Sequence, residues 1–301
     1  MRLVSLPFVA VLAAFGGAAV AQEAMGPPPV LLINKEEIKP GQMGPHESNA
    51  AKFVSIQNKA NAETFRLGLT PVSGDNNVVL YLEGYGSFAE MEKAGKQFDA
   101  ALAMNASLRA EMEQMMRQGA DMHATQKTML AVFRPDLSFR PHKMDGVAQS
   151  RYFGVSKGVV RMGRSADAEA WIKELNAARE KANTEGVHTA VYQVVSGAPA
   201  GTYFSFTLNR SLAEWDEFGA KMDERNKAID AVLGEAVVKE RRRQAAEIFA
   251  DFSTALYAMS PAISRPSPQF MAYDPGFWKP TPASEVKALA TKKETRPAPK
   301  Q

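Results

Sequence analysis

The segment PVSGDNNVVLYLEGYGSFAEMEK, residues 71–93, has a second version later in the chain, VVSGAPAGTYFSFTLNRSLAEWDE at residues 194–217. The shorter stretch KANAE at residues 59–63 likewise returns as KANTE at 181–185, and TMLAVFRPDLSFRP from Thr128 parallels TALYAMSPAISRPS from Thr254. An offset of about 120 residues is far longer than a solenoid repeat, so the pattern indicates one folding unit that has been duplicated.

The order of elements in the first half follows from hydrophobic periodicity and turn residues. VLLINKEEI at residues 30–38 predicts a strand, and an amphipathic helix is expected over residues 46–62. Apolar runs on either side of SGDN predict a hairpin. Ser87 with Glu90 three residues later is typical of a capping box that opens a long helical region ending near Gln126. TMLAVF then predicts a closing strand.

The second half repeats the order strand, helix, strand, strand, helix, strand, and Ser211 with Glu214 is expected to open its second helix as Ser87 with Glu90 opens the corresponding helix in the first half. Four strands with two helices on one face leave the other face of the sheet apolar and uncovered. Two such sheets bury those faces against each other. The predicted fold is therefore α+β, with two tandem ferredoxin-like βαββαβ units that form a pseudo-dimeric α+β barrel. The predicted units span residues 29–145 and 150–268, followed by a Pro/Lys-rich arm and tail at 269–301.

The first 21 residues predict a secretory signal peptide, because Arg2 precedes an apolar run that ends in small residues. A membrane anchor is the alternative, but the run is short and contains Pro7. We therefore expect a periplasmic or secreted protein with no membrane association after cleavage. The chain has no cysteine, which excludes disulfides and thiolate chemistry, and its net charge of +3 gives no case for nucleic acid.

The end of the chain contains an aromatic cluster that we expect to act as an arm over one end of the barrel. Its members are Phe270, Tyr273, Phe277 and Trp278. The Lys- and Pro-rich residues that follow are typical of an unstructured tail.

The tandem order, the PG turn at Pro40 and Gly41, and the SFAEME and SLAEWDE segments resemble the dimeric α+β barrel superfamily. The resemblance covers about residues 30–268 and includes the antibiotic-biosynthesis monooxygenase-like and NIPSNAP-like proteins, in a fused tandem form found among uncharacterised exported bacterial proteins. It implies a fold, but no single activity, since members include cofactor-free oxygenases, haem-binding enzymes and isomerases.

Two histidines are candidate catalytic residues. His46 is expected at the start of the first helix, where the helix dipole favours a neutral imidazole that acts as a base or ligand. It is equally consistent with a capping or surface residue. His188 is expected on a strand, where an inward ring would bind haem iron or a substrate and an outward ring would simply pack. With His123 and His142 far apart in sequence, no metal-ligand spacing is present and no metal site is predicted.

Further candidates for ligand binding are polar aromatic or cationic residues on the predicted strands. The alternative for each of them is ordinary core packing. These candidates are Arg66, Tyr81, Tyr85, Tyr192 and Tyr203.

Three functions remain open from the sequence. The first is binding of a small apolar molecule between the two sheets, with no cofactor predicted. The second, implied by the resemblance, is a cofactor-free or haem-dependent monooxygenase-like enzyme. The third is a structural or assembly protein that uses the outer helices or the aromatic arm. The chain is expected to be a monomeric pseudo-dimer or a homo-oligomer.

Overall fold

The computed structural model describes residues 26–278. The predicted signal peptide and residues 279–301 of the predicted tail lie outside this range. The strands are β1 (Val30–Ile38), β2 (Arg66–Pro71), β3 (Val78–Tyr85), β4 (His123–Phe133), β5 (Tyr152–Val160), β6 (Ala190–Ser196), β7 (Thr202–Asn209) and β8 (Phe249–Arg265).

In the described part of the chain, helices lie in every connection between successive strands except the hairpins β2–β3 and β6–β7, and two short helices follow β8. The helices are α1 (Met43–Lys59), α2 (Phe88–Met104), α3 (Ala106–Ala120), α4 (Met144–Gln149), α5 (Ser165–Lys181), α6 (Leu212–Ala220), α7 (Met222–Leu233), α8 (Glu235–Ile248), α9 (Pro268–Ala272) and α10 (Pro275–Trp278). Within residues 26–278, none of the helices combines the length and the apolar character that a membrane crossing requires.

The eight strands form a single closed barrel in the order β1, β3, β2, β8, β5, β7, β6, β4. Every neighbouring pair is antiparallel. Strand β2 pairs with β8, placing Leu69 opposite Met259, and β4 pairs with β6, placing Ala131 opposite Val194. These two pairings join the early strands to the late strands and leave no open edge.

The prediction of two tandem ferredoxin-like βαββαβ units is wrong, because the chain folds as one barrel rather than as two units that each carry a sheet. The prediction considered only the apolar faces of the sheets. The sheet edges matter as much, since each unpaired edge exposes a row of N–H and C=O groups. Closure through β2–β8 and β4–β6 pairs those groups.

Side chains from all eight strands meet inside the barrel. They form one apolar cluster in which Ile33 and Leu69 are fully buried and in which Phe153, Tyr192 and Phe204 are also members. Its cross-barrel contacts join the early strands to the late strands. The interior is therefore a packed core.

Two smaller apolar clusters lie outside the barrel, each beneath a helix. The α1 patch consists of Ile38, Ala50, Val79, Tyr81 and Ile263. The α5 patch consists of Leu137, Val160, Ala168, Val191, Tyr203 and Ile248. These patches bury the inner faces of α1 and α5 against the outside of the sheet.

Both predicted helix caps are confirmed. Ser87 Oγ accepts a hydrogen bond from Glu90 N at 3.1 Å, and Ser211 Oγ accepts one from Glu214 N at 3.2 Å. The long helical region predicted to end near residue 126 is different. It breaks at Asn105, which ends α2 and caps α3, and the chain is already a strand from His123.

The aromatic arm folds as α9 and α10 at one end of the barrel. Trp278 is 6% exposed and belongs to the interior cluster, with Phe270 and Phe277 packed beside it. The Arg151 guanidinium lies over the Phe277 ring at 3.7 Å and forms an ion pair with Asp274. This segment therefore closes the barrel end.

Candidate functional site

A groove lies on the outside of the barrel, between the end of α5 and helices α6 and α7. Its volume is about 640 Å³, within the range that holds a small organic molecule. The lining comes from α4, the loop between α5 and β6, the end of β7, and both helices. Loops and helix ends thus build the groove, while the barrel strands hold them in position.

Two stacked histidine rings form part of the groove wall. The rings of His142 and His188 have centroids 4.2 Å apart and planes 30° apart. His188 Nδ1 donates a hydrogen bond to the carbonyl oxygen of Arg140 at 2.6 Å. In the neutral ring this bond fixes the tautomer and leaves Nε2 with a free lone pair. We call these two residues the groove pair.

The pKa of His142 lies below the ordinary value of 6.5. Burial lowers it most, followed by the neighbouring His188 and Arg210, while the backbone of Leu208 and the Glu214 carboxylate act in the opposite direction. His142 is therefore neutral near pH 7. A neutral imidazole is a proton acceptor rather than a cation.

The remaining lining carries charges of both signs. Arg210, Lys221 and Arg225 supply positive charge. Carboxylates from the same wall supply negative charge, and these are Glu185, Glu214, Glu217 and Glu224. Such a wall favours a polar molecule over an apolar one.

A second histidine pair comes from the first half of the chain and lies beneath α1. His46, in the first turns of α1, and His123, the first residue of β4, both direct Nε2 toward Glu36 on β1. His46 Nε2 donates to Glu36 Oε2 at 2.8 Å, and His123 Nε2 lies 3.2 Å from the same oxygen. The two rings meet edge to face with centroids 5.2 Å apart. We call Glu36, His46 and His123 the buried triad.

The buried triad is almost closed to solvent. The side chain of His46 is 3% exposed, that of His123 is 11% exposed, and that of Glu36 is 18% exposed. Burial raises the pKa of Glu36, but the His46 hydrogen bond and the electrostatic influence of His123, His46 and Arg66 together lower it below its ordinary value. The carboxylate is therefore ionised at neutral pH.

Arg66 and Tyr81 lie next to the buried triad. The Arg66 guanidinium lies between two aromatic faces, 4.2 Å from the Tyr81 centroid and 4.6 Å from the Phe53 centroid. Tyr81 Oη is 3.5 Å from His46 Nε2. Burial lowers the pKa of Arg66 and raises that of Tyr81, but Arg66 stays charged and Tyr81 stays a phenol at neutral pH.

The other predicted ligand-binding residues do not converge. Tyr192 points into the barrel and donates to Pro28 O at 3.0 Å, while Tyr203 belongs to the α5 patch. Tyr85 donates to Glu83 at 2.8 Å. Of the five candidates, only Arg66 and Tyr81 contact each other, and they do so outside the barrel.

Haem does not fit at His46, because the side chain is 3% exposed beneath α1 and this burial leaves no room for a large macrocycle. At His188 the carbonyl-anchored Nδ1 is the arrangement usually seen in metal-bound histidines. The groove wall around it, however, carries four carboxylates, which disfavour a large apolar macrocycle.

Sequence reasoning missed Glu36, His123 and His142. Glu36 lies in a run of three charged residues before the last residue of β1, and nothing local marks it as functional. His123 was placed on a helix, whereas β4 brings it opposite Ile38 and so beside Glu36. His142 and His188 are joined only by the fold. Their shared signal is the rarity of the residue, since the whole chain has four histidines.

No family model and no curated protein sequence matches this chain. Among solved structures it is similar to a putative monooxygenase from Lactobacillus acidophilus NCFM, with a TM-score of 0.42 and 10% identity over 77% of this chain and 94% of that one. An anthrone oxidase-like protein gives 0.45 and 12% over 77% and 91%. A chlorite dismutase variant from Candidatus Nitrospira defluvii gives 0.43 and 12% over 78% and 93%. Similarity at this level assigns no reaction.

Proposed function

We propose that the protein is an enzyme that removes a proton from a small polar substrate bound in the groove, with His188 as the general base. The observation that carries this proposal is the groove pair itself, a carbonyl-anchored imidazole in the wall of a ligand-sized groove. A positioned base beside a concave surface is the arrangement that proton abstraction requires.

The two rings have different roles in this proposal. His188 Nδ1 is held by Arg140 O, so its Nε2 is the atom that accepts the substrate proton. The bond to a carbonyl also stabilises the imidazolium that forms, since both ring nitrogens are then donors. His142 stays neutral and stacks on His188. A neutral neighbour imposes no like-charge repulsion when His188 takes up the proton.

The substrate class follows from the lining. Positive side chains such as Arg210 and carboxylates such as Glu217 share the wall, which suits a molecule with both donor and acceptor groups. A small carbon acid or phenol with one charged substituent meets this requirement. Of the enzyme types that the resemblance implies, the cofactor-free type fits the groove best, because proton removal needs no group beyond His188 and the substrate.

The apolar-ligand hypothesis is less well supported than the enzyme hypothesis, because side chains from all eight strands pack in the barrel interior. For the assembly hypothesis, Trp278 of the aromatic arm is buried within its own barrel and does not offer a contact surface. The outer helices remain accessible, but no feature of them favours a particular partner.

The test is proton exchange in deuterated buffer. The wild-type protein is incubated with a panel of small carbon acids, and loss of the exchangeable C–H signal is followed by NMR. An oxygen electrode records any dioxygen uptake with these compounds and with phenols. We expect exchange of at least one member, and we expect His188→Gln to slow it by about 10²- to 10⁴-fold, the usual contribution of a general base.

Met162→Ala is the matched control, because this side chain is 95% exposed in the turn before α5. It should leave exchange unchanged. Exchange that is equally fast in wild type and His188→Gln would contradict the proposal. A haem titration of the same variants separates the haem-dependent alternative, which requires a Soret band that disappears in His188→Gln.

A further inference from the structure

The buried triad brings three potential metal ligands together from three separate elements. One ligand atom from each of Glu36, His46 and His123 lies within 4.8 Å of the other two. We propose that this triad binds a divalent transition-metal ion, independently of the chemistry proposed for the groove.

The fold does not require a polar cluster at this place, as the α5 patch demonstrates. Ile38 lies opposite His123 just after a register shift, and Val160 lies opposite Phe249 just after the same kind of shift. Glu36 and Gly158 are each two residues earlier on their strands. The second patch therefore has glycine and phenylalanine where the first has a carboxylate and an imidazole.

The helices correspond in the same way. Both α1 and α5 have 17 residues, and the fourth residue of each is His46 in α1 and Ala168 in α5. Their backbones match as well, because His46 N donates to Gln42 O and Ala168 N donates to Arg164 O. In the α5 patch the fully buried Ala168 occupies the position that His46 occupies beneath α1. The three polar groups are thus an addition to the fold rather than a requirement of it.

Burying these groups has a cost that packing alone does not explain. Both Nδ1 atoms, of His46 and His123, are buried and have no hydrogen-bond partner within the described residues. The two Nε2 atoms share a single carboxylate oxygen. An ion placed between Glu36 Oε2 and the two Nε2 atoms would give each ring its own bond to the ion in place of the shared oxygen. The two Nδ1 atoms face a separate cost of about 1–3 kcal/mol each, which the ion does not remove.

The geometry is close to what an ion needs. Nitrogen and oxygen ligands about 2.0–2.2 Å from a tetrahedral zinc ion lie roughly 3.4 Å from one another. The separations from Glu36 Oε2 are 2.8 Å to His46 Nε2 and 3.2 Å to His123 Nε2. These two separations need to increase by only about 0.2–0.6 Å, and the two histidine ligand atoms lie within 4.8 Å of each other.

The donor set selects the ion class. Two imidazoles and one carboxylate suit Zn²⁺, Fe²⁺, Co²⁺ or Ni²⁺, whereas Mg²⁺ and Ca²⁺ prefer all-oxygen sites. Three protein ligands leave a position for water, and Tyr81 Oη, 3.5 Å from His46 Nε2, is placed to hydrogen-bond with it.

The test uses untagged protein that has been dialysed against a chelator, because a histidine tag would bind metal itself. Co²⁺ is added and its visible absorption recorded, and Zn²⁺ affinity is measured by competition. We expect one Co²⁺ per chain with an intense tetrahedral spectrum. His46→Gln, His123→Gln and Glu36→Gln should each weaken binding by at least about 100-fold, as loss of a direct ligand should exceed the loss of an outer partner.

The double variant His142→Gln/His188→Gln is the matched control and should bind Co²⁺ as the wild type does. Circular dichroism on each variant separates a lost ligand from a lost fold, and His46→Gln together with His123→Gln gives two independent chances of a folded variant. Binding to wild type that is no tighter than to folded triad variants, or binding abolished only in the control, would overturn the proposal.

Discussion

The two histidine pairs of this barrel have opposite surroundings. His46 and His123 are closed beneath α1 and share an ionised carboxylate, whereas His142 and His188 stack in the wall of an open groove and the anchored nitrogen meets only a backbone carbonyl. A buried site with a carboxylate suits a small ion, because an ion needs ligands but little volume. Openness suits an organic substrate, which needs volume and a free lone pair. The surroundings of each histidine, rather than the residue type, therefore determine whether it suits an ion or an organic substrate.

The largest expected effect is stabilisation by zinc. An ion that binds only the folded state at 1,000 times its Kd adds about 4 kcal/mol to the free energy of unfolding. For a chain of this size that raises the Tm by about 8 °C. Differential scanning fluorimetry should record the rise in wild type and in His142→Gln/His188→Gln. If His46→Gln/His123→Gln shows the same rise, the two pairs do not differ as we describe.

A smaller effect is expected from truncating one ring without metal. His46→Ala removes the 2.8 Å hydrogen bond to Glu36 and leaves a carboxylate that is mostly buried with one partner fewer. This should lower the free energy of unfolding by about 1–3 kcal/mol. Urea denaturation in chelator measures it. His142 is only half-buried, so His142→Ala should lower the free energy of unfolding by less than His46→Ala does. An equal or greater loss in His142→Ala would contradict the difference between the two pairs.

The pH dependence of stability should separate the groove pair further. Because the pKa of His142 is lowered in the folded state, the unfolded chain takes up this proton first as the pH falls below 6.5. The stabilising contribution of neutral His142 is therefore complete above pH 6.5 and is lost on acidification. The urea midpoint of wild type minus that of His142→Gln should decrease as the pH is lowered from 7.5 to 5.5. If the difference increased on acidification instead, the pKa of His142 would be raised in the folded protein rather than lowered.

The smallest effect is expected at Arg140. His188 is held by the carbonyl oxygen of this residue, not by its side chain, which pairs with exposed Glu180. Arg140→Ala should therefore leave both the Tm and the exchange activity of the groove unchanged. A loss of exchange activity would show that the guanidinium itself takes part in the groove.

Local features of this fold were predictable from sequence, and pairings between distant strands were not. Ser87 and Ser211 were predicted as caps because an N-cap depends on residues within one helical turn. The aromatic segment around Trp278 was expected over a barrel end, where α9 and α10 now lie. Closure of one barrel through β2–β8 and β4–β6 was not predicted, since edge pairing leaves no periodic signal in either strand.

The sites show the same division. The sequence drew attention to His46 and His188, but their partners depend on contacts between distant parts of the chain. The first residues of β4, HATQKT, are mostly exposed and lack the apolar alternation that marks a strand, so His123 was assigned to a helix. Glu36 is a candidate only because the pairing of β1 with β4 places it beside His123. Both histidine sites depend on burial and strand register, which are properties of the folded barrel.

The most direct test of the different roles is an NMR spectrum of the imidazole C–H groups, recorded during a zinc titration and then a pH titration. The chain has four histidines, so single His→Gln variants assign every signal. We predict that the first equivalent of zinc shifts the signals of His46 and His123 alone, and that His142 then titrates below 6.5. Zinc shifts centred on His142 and His188, with the other two signals unmoved, would contradict the assignment of ion and substrate to separate pairs.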